Sequence, residues 1–240
     1  MPRFFVDTPL HPHTALTLPD AVVRHLHVRR LTEGDSLTLF NGDGAEYPAV
    51  LRHVGRREAE VDITAQCTIS RESPLPLFLA QGMSSGDRME FTLQKGVEMG
   101  VSVFQPLATH RAVVKLSGDR ADKRVTRWQE IVQSACEQCG RNVLPVVRPI
   151  LSLSAWLDSL TDDTAARLML SPTGEGRLAA LPPPAAAWLL AGPEGGLTDD
   201  EETAALQRGF VPLKLGPRIL RTETAALAAV AALQARFGDY

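Results

Sequence analysis

The sequence predicts an α/β protein in two parts, a small β domain followed by a parallel sheet covered by helices on both faces. Short alternating segments with turn signals fill the first seventy residues. Ser70-Arg71-Glu72-Ser73-Pro74-Leu75-Pro76 then breaks the rhythm, and its two prolines suit a linker. Beyond it, apolar strands alternate with helix-period segments, the pattern of a buried parallel sheet. The boundary is placed at residues 72 and 73, giving domains 1–72 and 73–240.

In chain order, Arg3–Asp7 reads as a short strand and Asp20–Leu26 as one or two helical turns. Ser36–Phe40 alternates, Asn41-Gly42-Asp43-Gly44 supplies residues that tolerate positive φ, and Tyr47–Leu51 resumes, which together predict a hairpin. Glu58–Thr64 alternates again. After the linker come a strand at Leu77–Gln81, a helix at Asp87–Met99 closed by Gly100, a strand at Val103–Leu107 and a long helix at Lys123–Cys139 ended by Gly140. Val143–Val147 is extended, and Ser154–Leu160 is a short helix. Arg167–Leu170 and Trp188–Ala191 look like buried strands, Leu181–Ala187 is a proline-rich loop, Phe210–Leu215 is a strand and Glu223–Phe237 an alanine-rich closing helix. No internal repeat is visible.

Composition narrows the function classes. No apolar run in the 240 residues approaches the roughly 20 needed to span a bilayer, and Met1-Pro2-Arg3-Phe4-Phe5 lacks a secretory apolar core, so a cytoplasmic protein is expected. Cys67, Cys136 and Cys139 are too few for a disulfide framework. Cys136-Glu137-Gln138-Cys139 has no second ligand pair at zinc spacing and the histidines form no set, so no metal is expected. The net charge is −3, but residues 76–150 carry ten basic against seven acidic side chains. Within them Arg111, Lys115, Arg120, Lys123, Arg124, Arg127, Arg141 and Arg148 form a basic band, either a phosphate-binding patch or a solvated helix face.

The chemistry is expected beyond the carboxyl ends of the strands, where open α/β sheets bind ligands. Three strand ends are unusual. One is Leu168-Met169-Leu170-Ser171-Pro172. The next, Leu190-Ala191-Gly192-Pro193-Glu194-Gly195-Gly196-Leu197, runs straight into Thr198-Asp199-Asp200-Glu201, a capping box that starts a helix. The third is Leu213-Lys214-Leu215-Gly216-Pro217-Arg218-Ile219-Leu220-Arg221-Thr222-Glu223-Thr224-Ala225, in which Thr222 is a credible N-cap and Glu223 a first-turn carboxylate. Neither Gly-x-x-x-x-Gly-Lys-Ser/Thr nor Gly-x-Gly-x-x-Gly occurs, and Gly192–Gly196 has an acid at its centre and no lysine. Such a loop suits a neutral or cationic ligand with hydrogen-bonding edges, and an adenine, a ribose and a sulfonium meet that description.

The two C-terminal strings together resemble the bacterial RsmE-type 16S ribosomal RNA uracil-N3 methyltransferases. Gln94-Lys95-Gly96-Val97-Glu98-Met99-Gly100-Val101 is similar to that family's Gln-Lys-x-x-Glu-Leu-Gly-Val helix, and Ala135-Cys136-Glu137-Gln138-Cys139-Gly140-Arg141 to its Ala-x-Glu-Gln-x-x-Arg segment. His25 to Arg29, Gly34-Asp35 and Phe40-Asn41-Gly42 echo its N-terminal domain, with Val28-Arg29-Arg30 standing where the family often has Val-Leu-Arg. The resemblance covers essentially the whole chain.

It implies a PUA-like β-barrel RNA-binding domain followed by a SPOUT-type parallel sheet with a C-terminal deep trefoil knot. It further implies a homodimer that binds S-adenosyl-L-methionine and acts on 16S rRNA within the 30S subunit or a late precursor. The cofactor contacts it carries over are Leu170, Leu190, Gly192, Glu194, Gly195, Gly196, Leu215, Gly216, Ile219, Leu220 and Thr224. In the last loop Glu223 could accept the proton of the methylated nitrogen and Arg221 stabilise charge on a uracil oxygen, or the pair could hold the loop. Arg3, Arg29, Arg30, Lys95, Arg111 and Arg141 are the candidates for RNA phosphates. The rival expectations are a SPOUT enzyme methylating a ribose 2′-oxygen of tRNA and a non-catalytic RNA-binding assembly factor.

Overall fold

The computed structural model describes residues 1–161 and 164–240. Its backbone divides into two units, Met1–Glu72 with Cys136–Leu144, and Ser73–Ala135 with Pro145–Tyr240.

The first unit holds strands β1 (Arg3–Phe5) and β2 (Ala15–Thr17), helix α1 (Asp20–Val28), and strands β3 (Ser36–Phe40), β4 (Ala45–Val54), β5 (Ala59–Ile63) and β6 (Cys67–Thr68). The sheet runs β1-β3-β4-β5-β2, with β6 on β4. All its pairs are antiparallel except β1 on β3. The predicted hairpin is β3–β4, and its turn is built by side chains. Asp43 accepts from the Ala45 amide (2.8 Å) and the Tyr47 hydroxyl (2.7 Å), while Gly42 and Gly44 take φ of 92°. Along β4, Ala45, Tyr47, Ala49 and Leu51 are buried in alternation and meet Phe4, Val23, Leu26, Leu37, Val61 and Ile63 in one core. Strands β2 and β6 escaped the sequence pattern because three and two residues are too short to show a period.

Residues 136–144, assigned from the sequence to the second domain, belong to the first unit. The reason is a set of polar bonds. Glu137 accepts from the Phe5 amide (3.1 Å), Asn142 donates to the Ile69 carbonyl (2.9 Å) and accepts from Arg3, and the Arg141 Nε donates to Glu72 (3.1 Å).

The second unit holds β7 (Leu77–Gly82), α2 (Gly86–Glu98), β8 (Val101–Ala108), α3 (Asp119–Cys139), β9 (Val146–Val147), β10 (Leu151–Ser152), α4 (Leu153–Ser159), β11 (Ala166–Leu170), β12 (Ala187–Ala191), α5 (Asp199–Gln207), β13 (Val211–Leu213) and α6 (Thr222–Phe237). The last turn of α3 is counted with the first unit. The sheet is wholly parallel, in the order β10-β8-β7-β12-β11-β13, with β9 beside β8. The chain steps outward from β7 through β8 to β10, then returns to lay β12 against the other side of β7. The strand order therefore reverses between β7 and β12, where a crevice opens at the carboxyl ends. Every residue of β12 is buried, as expected of a central parallel strand covered on both faces.

Helix α3 begins four residues before the predicted start, with Asp119 and Asp122 in its first turn, where the helix dipole favours carboxylates. Helix α5 opens on the predicted capping box: the Thr198 hydroxyl accepts from the Glu201 amide (3.3 Å) and Glu201 accepts from the Thr198 amide (2.9 Å). Helix α6 packs on α2 and the sheet through Ala226, Ala229, Val230 and Leu233. Its buried Gln234 donates to the Met99 carbonyl (2.9 Å) and accepts from the Ser73 hydroxyl (2.6 Å). Among the described residues no helix is long and apolar enough to cross a membrane.

Under α4 and α5 the core is aromatic. Trp156 has no exposed surface, and its ring lies 5.3 Å from Trp188 and 5.7 Å from Phe210. Trp156→Ala is expected to cost about 3–5 kcal/mol in denaturant unfolding, from the cavity that truncation leaves.

Candidate active site

The carboxyl ends of β12, β11 and β13 open into a cleft of about 640 Å³. Its walls are the loops predicted from sequence: 171–173 after β11, 192–197 after β12 and 214–221 after β13. What gathers them is a buried side chain that the sequence reading passed over. The Gln81 amide, at the end of β7, donates to the Thr222 hydroxyl (2.9 Å), and the Thr222 hydroxyl donates to the Gly192 carbonyl (2.6 Å). Thr222 was expected to cap α6. Instead it is the first helical residue, Arg221 occupies the N-cap position without a side-chain bond, and the Thr222 hydroxyl is spent on the β12 loop. Beside this junction a Cβ on Gly82 would stand 2.6 Å from the Pro193 nitrogen, so the backbone crossing demands glycine.

Three charged groups at the cleft, Glu194, Arg88 and Arg111, are held by partners. Glu194 accepts from the Ser85 amide (2.9 Å) and from Arg88 (3.1 Å), and Arg88 Nε stands 3.9 Å from Glu223. Burial works to raise the Glu194 pKa. Bonds from the backbone and side chain of Ser85 and from its own backbone, with the Arg88 charge, outweigh burial and hold the carboxyl below its ordinary range. Arg111 donates to the carbonyls of Gly195 (3.2 Å) and Leu197 (2.9 Å), and Glu201 accepts from the His110 amide (2.8 Å). Each of Glu194 and Glu223 keeps one buried oxygen with no partner among the described residues. The cleft thus combines backbone edges, an ionised carboxylate and donors from arginine, which suits an uncharged or cationic heterocycle.

Of the expected cofactor residues, Leu170, Gly192, Glu194, Gly195, Gly196, Leu215, Gly216, Ile219 and Leu220 line the cleft, as does Arg221. Two of the expected residues lie off the lining. Leu190 does not line it, because its side chain is fully buried in the core with Trp156 and Met169. Thr224 does not line it either, being an exposed position on α6. Glu223 is not among the lining residues but reaches the site through Arg88. Arg88, Ser171, Thr173, Thr222 and Ala225, which line the cleft, were not predicted.

The six arginine and lysine candidates for RNA separate. Arg29 and Arg30 are exposed at the end of α1, Arg29 lying over the Phe4 ring at 5.7 Å. Lys95 pairs with Glu98 (2.8 Å) and Arg111 is engaged by the loop carbonyls. Arg141 is buried against Glu72, and Arg3 is bound by Glu46 (2.6 Å) and stacked on Phe40, so neither presents a free guanidinium to a phosphate. Cys136 is also internal, and burial pushes its thiol up to about 12. Among the described residues no group of three or more His, Cys, Asp or Glu is arranged to hold a metal ion.

A glycine-walled cleft at the switch point of a parallel sheet, with a small β unit before it in the chain, defines a class. The profile of the RNA methyltransferase domain matches residues 71–234, and that of the RNA methyltransferase PUA domain matches residues 18–64. The chain belongs to the RNA methyltransferase domain family. Among its relatives is ribosomal RNA small subunit methyltransferase E of Buchnera aphidicola subsp. Schizaphis graminum, 32% identical over 241 residues that span 100% of this chain and 98% of that one. The ribosomal RNA small subunit methyltransferase E of Neisseria gonorrhoeae, solved bound to S-adenosyl methionine, superposes with a TM-score of 0.95 at 45% identity, covering 100% of this chain and 99% of that one. A methyltransferase of Legionella pneumophila, solved with the same cofactor, gives 0.95 at 38% identity over 99% and 98%.

Thr222→Val is expected to lower stability by about 1–3 kcal/mol in denaturant unfolding, because it strips Gln81 and the Gly192 carbonyl of a buried partner. The lowered Glu194 pKa also sets a pH dependence. Its stabilisation is complete above the ordinary carboxyl value of 4.5 and is lost as pH falls through the lower folded-state value. Glu194→Gln should therefore flatten the acid limb of the unfolding-midpoint curve and leave the neutral limb parallel to the wild type.

Proposed function

We propose that this chain transfers a methyl group from S-adenosyl-L-methionine to the N3 atom of a uridine in 16S ribosomal RNA. The observation that carries the reading is the cleft, walled by backbone at Gly192, Gly195, Gly196 and Gly216 and bordered by the ionised Glu194. The fit is steric as well as chemical: a Cβ on Gly196 or Gly216 would meet no atom within 4 Å, so both keep open space in the cleft wall. The 192–197 and 214–220 loops would hold the nucleoside by backbone amides and carbonyls, with Leu170, Leu215, Ile219 and Leu220 as apolar flanks. When bound, the cofactor supplies an electrophilic methyl carbon on a sulfonium.

The protein's own part is the nitrogen. Uracil N3 carries a proton at neutral pH and its lone pair is delocalised into the flanking carbonyls, so a base and a donor to oxygen are needed. Glu223, at the start of α6 beside Arg88, is the base, and Arg221, at the cleft wall, donates to a uracil oxygen. Exposed Arg29 and Arg30 position RNA phosphates from the first unit, and the paired Arg3 and Arg141 do not.

The same reading includes an RNA-binding domain over 1–72, with residues 136–144 packed into its unit, and a methyltransferase domain of SPOUT type over the rest of 73–240, with a trefoil knot made as the 214–221 loop and α6 return to the 192–197 loop. The bond from Thr222 to Gly192 supports that crossing. A homodimer is supported by Ile219, an apolar side chain 87% exposed at the cleft. The substrate is the 30S subunit or a late precursor, and the setting is the cytoplasm.

Calorimetric titration should give saturable binding of S-adenosylmethionine and none of ATP or NAD, and the absence of any binding by folded protein would overturn the reading. Glu223→Gln should keep that binding and reduce turnover by about 10²-fold or more, measured by mass spectrometry of digested 16S RNA.

A further inference from the structure

Arg88 stands where a cation is unfavourable, in the first turn of α2, at the positive end of the helix dipole. Two carboxylates compensate it. Arg88 donates to Glu194 at 3.1 Å and its Nε lies 3.9 Å from Glu223, so one planar guanidinium spans a group that lines the cleft and a group at the start of α6. The two arms are not equivalent. Glu194 has a second holder in the Ser85 amide, whereas nothing but Arg88 pairs with the Glu223 carboxylate among the described residues.

We propose that Arg88 is a positioning residue that holds the Glu223 carboxylate oriented for proton transfer, an inference that rests on the reading of Glu223 as the base. In that step the N–H bond of the substrate ring breaks, the proton goes to the Glu223 carboxylate, and the electron pair stays on nitrogen. Arg88 keeps its own proton throughout, and after the transfer it remains balanced by Glu194. It also screens two anions from each other in a half-buried site, where they would otherwise repel.

The test uses the full chain with Arg88→Ala, Arg88→Lys, Glu223→Gln and the Arg88→Ala/Glu223→Gln double variant. A crystal structure of ligand-free Arg88→Ala should show the Glu223 carboxylate displaced. Its kcat on unmethylated small ribosomal subunits should fall about tenfold or more, with the calorimetric Kd for S-adenosylmethionine within about threefold, because Ser85 still holds Glu194. Arg88→Lys should recover part of the rate. The double variant should be no more than about threefold slower than Glu223→Gln, since two residues acting as one unit do not add. An unmoved Glu223, an unchanged kcat, a weakened Kd with intact kcat, or losses that multiply in the double variant would each overturn the assignment. Arg88→Gln carries the same expectations where Arg88→Ala does not fold. Full turnover by Glu223→Gln is the separate result that would remove the base itself.

Discussion

The cleft depends on one buried hydrogen-bonded junction at the end of β7. Gln81, Thr222 and the Gly192 carbonyl come from three segments more than a hundred or some thirty residues apart, and meet within 2.9 Å. Gln81 and Thr222 are buried, so leaving either unpaired costs more than an exposed bond is worth, and the loops are driven to one arrangement. Gly82 completes the constraint by letting the β12 loop cross its backbone without a side chain between them. The strand order reverses at this same place, so the crevice produced by the topology and the polar lock that shapes it coincide.

Charge in the second unit follows a similar logic. Arg111 is spent on the carbonyls of the Gly195 loop, and Arg88 on two carboxylates. Guanidinium groups do this well because they present several donors in a rigid plane and are less strongly hydrated than an ammonium. Part of the basic character of residues 76–150 therefore shapes the cleft, and only the remainder is available to solvent. The same holds in the first unit, where Arg3 and Arg141 tie residues 136–144 to the β sheet. A count of basic residues does not separate these roles, since an internal pair and a phosphate contact use the same side chain.

Membership in the RNA methyltransferase domain family is consistent with how the residues are distributed. Positions that shape the cleft are mostly glycines and backbone groups of loops, while Arg88 joins Glu194 in the lining to Glu223 just outside it. A cleft walled mainly by backbone and glycine selects a ligand by shape and by hydrogen-bonding edges.

By itself the sequence determined the helices and the longer strands, the β3–β4 turn, the capping box of α5 and the three strand-end loops, because each follows from local periodicity or from residues with restricted backbone chemistry. It also carried the strings that mark the family. Only the tertiary structure decided which groups act together. Thr222 looked like a helix cap and is a bridge to Gly192, Leu190 looked like a ligand contact and is core, and Arg88 attracted no notice until the fold set it beside Glu194 and Glu223. The physical reason is that a side chain's partner is fixed by strand order and by the competition for buried hydrogen bonds, and neither is written in the spacing of nearby residues.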